Sequence, residues 1–246
     1  MKIYRGITQG TTAWSALRMG IPTASAFASI MTPTLDKNGN GVKSKTQDKY
    51  MMQLLAERCM GHPSDEFVSL YMQRGKEDEV KARNYYRFQR DCAVEQITFV
   101  TNDMGTIGCS PDGFVGDPGT VEFKRLTDAK HMGFLLGYGS AYEEYKVQCN
   151  GILWITERQW VDTVSWHPEL PWSLVRAERD EVFIAALSVC VKDFSRRLED
   201  KFRELLDRGW AKENWREAAP SGEFVPPTIE ELRVFNELHG KVGMSN

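Results

Sequence analysis

Cysteine is scarce in this sequence, and its few copies lie far apart. The 246 residues include five cysteines and four histidines, and no two cysteines form a C-x-x-C pair. Zinc ribbons and iron–sulfur clusters need several thiolates, some of them close in sequence, and disulfide frameworks usually have an even number of cysteines. We therefore expect reduced thiols, and we predict no zinc site, no iron–sulfur cluster and no disulfide framework.

The sequence also lacks any long hydrophobic run. No uninterrupted apolar segment approaches the roughly 18 residues that a membrane-spanning helix requires. The charged start, Met1-Lys2-Ile3-Tyr4-Arg5-Gly6, has no apolar signal region behind it. We expect a cytoplasmic protein with no membrane segment.

An excess of positive charge is missing as well. Lysine and arginine number 31 against 34 aspartate and glutamate residues, so the formal net charge is −3 at pH 7. Proteins that bind nucleic acids usually neutralise phosphates with lysine and arginine, and the overall charge speaks mildly against such a partner. Affinity depends on local charge, however, and an acidic exterior with a basic cleft still attracts a polyanion. Composition therefore leaves nucleic-acid binding open.

Hydrophobic periodicity and turn residues predict alternating helices and strands, which indicates an α/β chain. The predicted helices span Thr23–Met31, Thr46–Met60, Met72–Arg90, Tyr142–Ile155 and Glu181–Arg208. The predicted strands span Val94–Thr101, Thr106–Val115, Gly119–Leu126, Gln159–Trp166 and Leu174–Arg179, and the first three are expected to pair antiparallel. Proline and glycine then mark a linker before a last helix. We predict one domain over 1–218 and a linker with a C-terminal helix over 219–246.

One predicted hairpin contains candidate catalytic residues. Side chains alternate across a strand, so Glu122 and Lys124 point to one face while Phe123 points to the other. Asp112 precedes them, and turn-forming residues bring it back beside the Glu-x-Lys strand. Carboxylates suit Mg²⁺ or Mn²⁺, which activate a bound water, and a lysine orients that water or offsets negative charge. The alternative is a surface aspartate in a turn with a cross-strand ion pair.

Three further motifs stand in order around this hairpin. They are Trp14-x-x-x-Arg18-x-Gly20-x-x-Thr23-Ala24-Ser25, Gly75-Lys76-x-x-Glu79 and Glu144-Tyr145-x-x-Gln148. Together with the hairpin, they make residues 10 to 205 resemble the phage lambda-type (YqaJ-like) alkaline exonucleases of the PD-(D/E)XK nuclease superfamily. The resemblance implies an α/β fold with a PD-(D/E)XK, restriction-endonuclease-like core, in which helices flank a central mixed β-sheet.

The resemblance also implies a catalytic site with two Mg²⁺ ions, for which Mn²⁺ is expected to substitute. The expected metal ligands are Asp112, Glu122, the backbone carbonyl of Phe123 and, through water, Glu79. Lys124 would act on the attacking water and Gln148 would position it, with Tyr145 beside them as a possible DNA contact. Without the resemblance, Glu79 would be read as part of a solvated helix face.

Arg18 and Ser25 match residues that hold the terminal 5′-phosphate of DNA in this family. Arginine binds phosphate through two parallel hydrogen bonds, and a hydroxyl at a helix N-terminus adds a donor near the positive end of the dipole. The alternatives are that Arg18 pairs with an acid and that Ser25 only caps the helix. Trp14 is a candidate either for stacking on a terminal DNA base or for a place in the core.

The implied function is a Mg²⁺-dependent, processive 5′→3′ exonuclease on linear double-stranded DNA, encoded by a phage or prophage and acting in the bacterial cytoplasm. It would release 5′-mononucleotides and leave a 3′ single strand for recombination by strand annealing. The family also implies a ring-shaped homotrimer and a single-strand annealing protein as partner. The alternatives are a PD-(D/E)XK endonuclease of restriction or repair type and a non-catalytic DNA-binding subunit. The loop at 36–45 and the tail after residue 220 have no counterpart in this resemblance.

Overall fold

Two β-sheets form the framework of the chain. The computed structural model describes residues 1–31, 44–64 and 70–215. The smaller sheet is antiparallel, with the order β1 (Lys2–Tyr4), β2 (Phe99–Thr101), β3 (Gly108–Cys109). The larger sheet has the order β4 (Gly113–Val115), β5 (Gly119–Arg125), β6 (Trp160–Trp166), β7 (Ser173–Glu178). Because β5 and β6 run parallel while the other two pairs run antiparallel, this sheet is mixed.

Helices cover both faces of the larger sheet. The described α-helices are α1 (Thr12–Arg18), α2 (Phe27–Met31), α3 (Lys45–Met60), α4 (Leu70–Arg90), α5 (Asp128–Leu135), α6 (Ala141–Thr156) and α7 (Glu181–Asp207). On one face, Tyr86 of α4 packs with Val121 and Phe123 of β5. On the other face, Leu153 of α6 packs with Val161 of β6. The predicted arrangement, a central mixed sheet flanked by helices, is confirmed.

The longest of these helices, α7, follows its predicted periodicity. Its buried residues are Ile184, Leu187, Val191, Phe194, Leu198 and Phe202, which recur every three or four positions. Burying a large apolar side chain contributes about 1.5–3 kcal/mol, so this stripe fixes α7 to the core. The helix begins where Asp180 accepts a hydrogen bond from the Phe183 N–H at 2.9 Å. Helices α3, α4, α6 and α7 and strands β6 and β7 all begin and end within two residues of their predicted bounds.

One strand prediction is wrong, and the error lies beside Asp112. The expected strand Thr106–Val115 is two strands, β3 and β4, which belong to different sheets. Pro111 lies at the break, because proline has no N–H to contribute to a strand ladder. The break leaves Ser110 and Asp112 outside both strands, where Ser110 accepts a hydrogen bond from Arg18 and Asp112 accepts one from the Phe123 N–H. The predicted hairpin itself is confirmed, since β4 and β5 pair antiparallel.

The remaining differences concern short elements. Only β2 forms within the expected strand Val94–Thr101, and an isolated bridge joins Glu95 to Phe114 before it. Strand β1 and helices α1 and α5 have no predicted counterparts, because each element is too short to show a clear hydrophobic periodicity. The linker and helix expected over 219–246, and most of the loop expected at 36–45, lie outside the described residues. No described helix is long and apolar enough to cross a lipid bilayer.

Candidate active site

Asp112 and Glu122 meet at the hairpin formed by β4 and β5. Gly113 pairs with Val121, so Asp112, one residue before β4, lies opposite Glu122. The Asp112 N–H donates to Glu122 Oε1 at 3.3 Å, and the Phe123 N–H donates to Asp112 Oδ2 at 2.7 Å. The Glu122 residue is only 1% exposed. The structure therefore brings two of the predicted carboxylates together in a largely buried position.

Lys124 and Gln148 form a small network around Glu122. Lys124 Nζ donates to Glu122 Oε2 at 3.0 Å and to Gln148 Oε1 at 3.1 Å, and Gln148 Nε2 donates to the same Glu122 oxygen at 3.0 Å. The Lys124 ammonium also lies 4.6 Å from the centroid of the Tyr145 ring. The α6 backbone is non-helical at Tyr145, with φ −104° and ψ 21°. Strand β5 and helix α6 thus direct four predicted site residues towards one another.

Glu79 joins this cluster from α4. Arg83, one turn later on the same helix, donates from Nη2 to Glu79 Oε1. Burial and then the negative charge of Asp112 raise the pKa of Glu79 to about 7, while Arg83 and Lys124 act in the opposite direction. The Glu79 side chain is only 25% exposed, so Glu79 is not part of a fully solvated helix face.

Burial also changes the titration of the two hairpin carboxyls. Loss of hydration, followed by repulsion from Asp112, raises the pKa of Glu122 to about 8, although Lys124 opposes this shift. Burial likewise raises the pKa of Asp112. Each carboxyl therefore holds a proton more tightly than it would in water, and a cation that binds both must displace protons. Alkaline pH favours cation binding at such a site.

Lys124 remains charged in this setting. Burial opposes its ammonium form, but the Glu122 and Asp112 carboxylates outweigh that effect and raise the pKa of Lys124. A lysine of this kind donates hydrogen bonds and does not accept a proton near neutral pH. Lys124 is thus suited to orient a water or a phosphate oxygen.

The oxygen atoms of this cluster match the ligands that Mg²⁺ and Mn²⁺ prefer. Asp112, Glu122 and Glu79 all offer carboxylates. In the part of the chain that the structure describes, however, no three His, Cys, Asp or Glu side chains are grouped as ligands around one point. Arg83 holds Glu79 and Lys124 holds Glu122. The residue types fit a divalent cation, and binding one requires these ion pairs to rearrange.

Arg18 lies at the end of α1 among hydroxyl groups. Its Nη1 donates to Ser110 Oγ at 3.2 Å, and its Nη2 donates to Ser25 Oγ at 3.1 Å and to Thr23 Oγ1 at 3.4 Å. Trp14 Nε1 donates to the same Ser110 oxygen at 3.0 Å, and the Arg18 guanidinium lies 4.3 Å from the Trp14 ring centroid. A guanidinium backed by an indole and flanked by hydroxyls can bind a phosphate. These five residues are called the Arg18 pocket below.

The positions of Ser25 and Trp14 differ from the alternatives considered above, which were a helix cap for Ser25 and a core position for Trp14. Ser25 lies inside a 3-10 turn at Ala24–Ala26, and its hydroxyl contacts Arg18. Trp14 is partly buried, with the Arg18 guanidinium over its ring. It is therefore not a core residue, and its contacts orient Arg18.

Two members of the Arg18 pocket are not predicted as phosphate-binding residues: Ser110 belongs to no motif, and Thr23 is predicted only as part of the Trp14 motif and the start of the first predicted helix. The spacing of Ser110 is the feature that could have revealed it, because residues two apart in extended chain share a face and lie about 7 Å apart. Ser110 contacts Arg18, and Asp112 accepts the N–H of the residue after Glu122. Residues 110 and 112 therefore link the Arg18 pocket to the group formed by Asp112, Glu122 and Glu79, which is called the carboxylate cluster below.

Gly20 holds the chain after Arg18 in a turn that requires glycine. Its φ is +67°, and a Cβ there would lie 2.7 Å from Arg58 Cγ and from the Trp215 ring. The Gly20 N–H donates to Glu57 Oε2 at 2.8 Å, and its carbonyl accepts from Arg58 Nε at 2.7 Å. Two consecutive buried residues of α3 thus hold both polar backbone atoms of Gly20, which fixes the path of the chain beside Arg18.

The segment that contains all of these predicted site residues matches a known protein family. A family model described as a YqaJ-like viral recombinase domain matches residues 13–159. This stretch runs from just before Trp14 to beyond Gln148. A comparison with curated proteins produced no match.

Solved exonuclease structures share the fold. The alkaline exonuclease LHK-Exo from Laribacter hongkongensis is 30% identical, with a TM-score of 0.70 over 80% of this chain and 97% of LHK-Exo. LHK-Exo in complex with dAMP is 31% identical, with the same TM-score and coverage. A phage-related exonuclease from Haemophilus somnus 129PT is 16% identical, with a TM-score of 0.53 over 77% of this chain and 96% of that one, which shows the fold alone. These similarities confirm the predicted PD-(D/E)XK fold class.

Proposed function

Because the chain belongs to the YqaJ-like viral recombinase family, we propose that it is a divalent-metal-dependent exonuclease that digests linear double-stranded DNA from its 5′ ends. One observation carries the proposal: the Arg18 pocket and the carboxylate cluster are joined through Ser110 and Asp112. A phosphate-binding group beside a hydrolytic site makes cleavage depend on a strand end. This arrangement favours an exonuclease over an endonuclease on the same core.

The similarity to LHK-Exo supports the same activity. LHK-Exo is an alkaline exonuclease, and one of its structures contains dAMP. A deoxynucleoside monophosphate is the product expected from an enzyme that removes one nucleotide at a time from DNA. In this chain, the raised pKa values of Glu122 and Glu79 favour loading of the site with a cation under alkaline conditions.

The proposed reaction begins with the end of the DNA strand in the Arg18 pocket. The terminal 5′-phosphate accepts hydrogen bonds from Arg18, and the next phosphodiester lies at the carboxylate cluster. Water attacks the phosphorus of that phosphodiester, its bond to O3′ breaks, and the departing O3′ takes a proton. A 5′-mononucleotide leaves, and the shortened strand ends in a new 5′-phosphate. Moving that phosphate into the Arg18 pocket restores the starting arrangement, which permits processive digestion.

The protein groups in the cluster have separate tasks in this reaction. Lys124 and Gln148 donate hydrogen bonds that hold the attacking water, since both already converge on Glu122. Asp112, Glu122 and, through water, Glu79 would hold Mg²⁺ or Mn²⁺, with the carbonyl of Phe123 as a further ligand. A cation held by these residues would supply positive charge to the phosphoryl oxygens and would lower the pKa of the attacking water. Tyr145 packs against Lys124 and restricts its orientation.

The proposal extends to assembly and partners. A ring-shaped homotrimer would let a few basic residues line a channel, which reconciles DNA binding with a net charge of −3. The 3′ single strand left by 5′→3′ digestion is the substrate of a single-strand annealing protein, which we propose as the partner. Both proposals rest on the family likeness.

The proposed function predicts a difference between linear and closed DNA. With Mg²⁺ present, the purified protein should release acid-soluble nucleotides from linear duplex DNA and leave a covalently closed circular duplex intact. EDTA should stop the release, and Mg²⁺ or Mn²⁺ should restore it. Cutting of the closed circle would identify an endonuclease, and absence of metal-dependent release would identify a non-catalytic DNA-binding subunit.

The Arg18 pocket predicts a selective defect at phosphorylated ends. Arg18→Ala should slow the digestion of 5′-phosphorylated duplexes by about 10- to 100-fold, because hydrogen bonds to charged groups contribute roughly 1.5–3 kcal/mol. Digestion of the same duplexes with 5′-hydroxyl ends should change much less. The comparison uses single-turnover rates on both substrates.

A matched control is Arg196→Ala, which removes an exposed arginine of α7 that pairs with Asp193 and Asp200. It should leave the ratio between the two kinds of end unchanged. If Arg18→Ala slows both kinds of end equally, the 5′-phosphate is not held by Arg18.

A further inference from the structure

Arg125 directly follows Lys124 on β5, and its side chain lies on the opposite face of the sheet. Its Nε donates to Asp78 Oδ2 of α4 at 3.2 Å, and its Nη1 donates to the Leu126 carbonyl at 2.7 Å. Its Nη2 lies 3.5 Å from Asp128 Oδ1 at the start of α5. The side chain is 22% exposed. Because the Asp128 side chain is 80% exposed, the main restraint from this guanidinium joins the end of β5 to Asp78 of α4.

Asp78 is the residue before Glu79 on α4. Its side chain is 13% exposed, and consecutive helix residues point about 100° apart. Asp78 therefore contacts Arg125, while Glu79 pairs with Arg83. Lys81 also approaches Asp78, at 3.4 Å, but its side chain is 63% exposed. A well-screened lysine contributes little to the position of the helix.

The second anchor of α4 lies two turns away. Tyr86 donates to buried Asp162 of β6 at 2.6 Å. Tyr86 is seven residues beyond Glu79, which is about 10 Å along a helix. Between the two anchors, Ala82 is fully buried in the same apolar cluster as Val121 and Phe123 of β5, so α4 also packs on the sheet there. The Arg125–Asp78 pair adds a polar restraint directly beside Glu79.

We propose that Arg125 and Asp78 are positioning residues that set Glu79 against the Asp112–Glu122 pair and so determine how tightly the site binds a divalent cation. The proposal rests on the proposed function, in which Glu79 takes part in holding the cation. Neither residue touches the cation or the DNA. They act through the placement of α4.

The test begins with binding of Mn²⁺ alone, measured by isothermal titration calorimetry at pH 8 on the full chain. Arg125→Ala and Asp78→Asn should each weaken Mn²⁺ binding by about tenfold, the effect usual for groups that orient metal ligands. The Mg²⁺ concentration for half-maximal hydrolysis should rise by a similar factor, with a smaller change in the rate at saturating Mg²⁺. Arg125→Lys, which keeps the charge, should recover part of the affinity. The matched control, Lys81→Ala, should stay within about twofold of wild type because exposed ion pairs contribute little.

A double-mutant cycle identifies the route of the effect. If Arg125 acts through Glu79, Arg125→Ala should cause no further loss of Mn²⁺ affinity in a Glu79→Gln background. Losses that multiply, or single variants that bind Mn²⁺ like wild type, would overturn the proposal. Weaker DNA binding in EDTA, measured by fluorescence anisotropy, together with normal Mn²⁺ affinity would also overturn it and make Arg125 a DNA contact. A wild-type protein that neither binds Mn²⁺ nor hydrolyses DNA would instead refute the proposed function.

Discussion

Replacing Glu122 by glutamine is expected to reduce nucleotide release from linear duplex DNA by about 1,000-fold, equivalent to about 4 kcal/mol in activation free energy. Glutamine has nearly the size of glutamate, but its single carbonyl oxygen can replace only one of the two carboxylate oxygens, which accept from the Asp112 N–H and from Lys124. It removes the negative charge that a divalent cation needs at the centre of the cluster. The loss should therefore appear in the rate at saturating DNA.

The same substitution separates loss of function from loss of folding. Burial raises the pKa of Glu122 to about 8, so the ionised carboxylate is disfavoured in the cation-free protein. Glu122→Gln should keep the wild-type circular dichroism spectrum in EDTA, because Lys124 retains Gln148 as a hydrogen-bond acceptor and the nearby charge of Asp112. Glu143→Gln, at an exposed position in the first turn of α6, is the matched control and should digest DNA normally. Digestion by Glu122→Gln at more than a tenth of the wild-type rate would exclude Glu122 as a metal ligand.

Asp162→Ala is expected to lower the free energy of unfolding by about 3 kcal/mol, because it removes one partner from a buried ion pair. Asp162 is fully buried on β6 and accepts from Arg176 Nε at 2.7 Å, from Arg176 Nη2 at 2.8 Å and from Tyr86 Oη at 2.6 Å. The substitution leaves the Tyr86 hydroxyl buried without this acceptor. Because the Arg176 side chain is 38% exposed, water can solvate it in part, which keeps the estimate at the lower end of the range.

Equilibrium unfolding in urea at pH 7 measures this loss. Tyr86→Phe removes a single hydrogen bond and should lower the free energy of unfolding by about 1 kcal/mol. Asp200→Asn, in an exposed pair with Arg196 on α7, is the control and should leave the urea midpoint unchanged within error. If Asp162→Ala has the midpoint of the control, the Asp162 network does not hold α4 to the sheet.

Local patterns carried most of the fold prediction. The period of three to four residues in α7 and the alternation in β5 are written in adjacent positions, so each can be read without knowledge of distant residues. The strand break at Pro111 was also visible in the sequence as a residue that cannot join a ladder. The two parts of the expected strand Thr106–Val115 separate because they pair with different partners, β2 on one side and β5 on the other. That choice depends on residues far away in the chain.

The candidate site likewise contains some residues that local sequence patterns identify and others that only the fold brings together. Asp112, Glu122 and Lys124 could be proposed from one hairpin, since strand alternation and a short turn place them together. Ser110 and Arg83 lay within reach of sequence reasoning through their spacing from Asp112 and Glu79. The Arg125–Asp78 pair did not, because 47 positions separate the two residues, Asp78 stands at an unspecified position of the Gly75-Lys76-x-x-Glu79 motif, and Arg125 belongs to no motif.

The sequence by itself determined the helices and strands with clear periodicity, the family resemblance and the identity of the predicted catalytic residues, because each depends on residue types at short spacing. Only the tertiary structure decided which of these residues meet. It joined the Arg18 pocket to the carboxylate cluster through Ser110 and Asp112, and it raised the pKa values of Glu79 and Glu122 by burying them beside Asp112. Burial and long-range contact are properties of the folded chain, since they arise when segments distant in sequence exclude water from the same space.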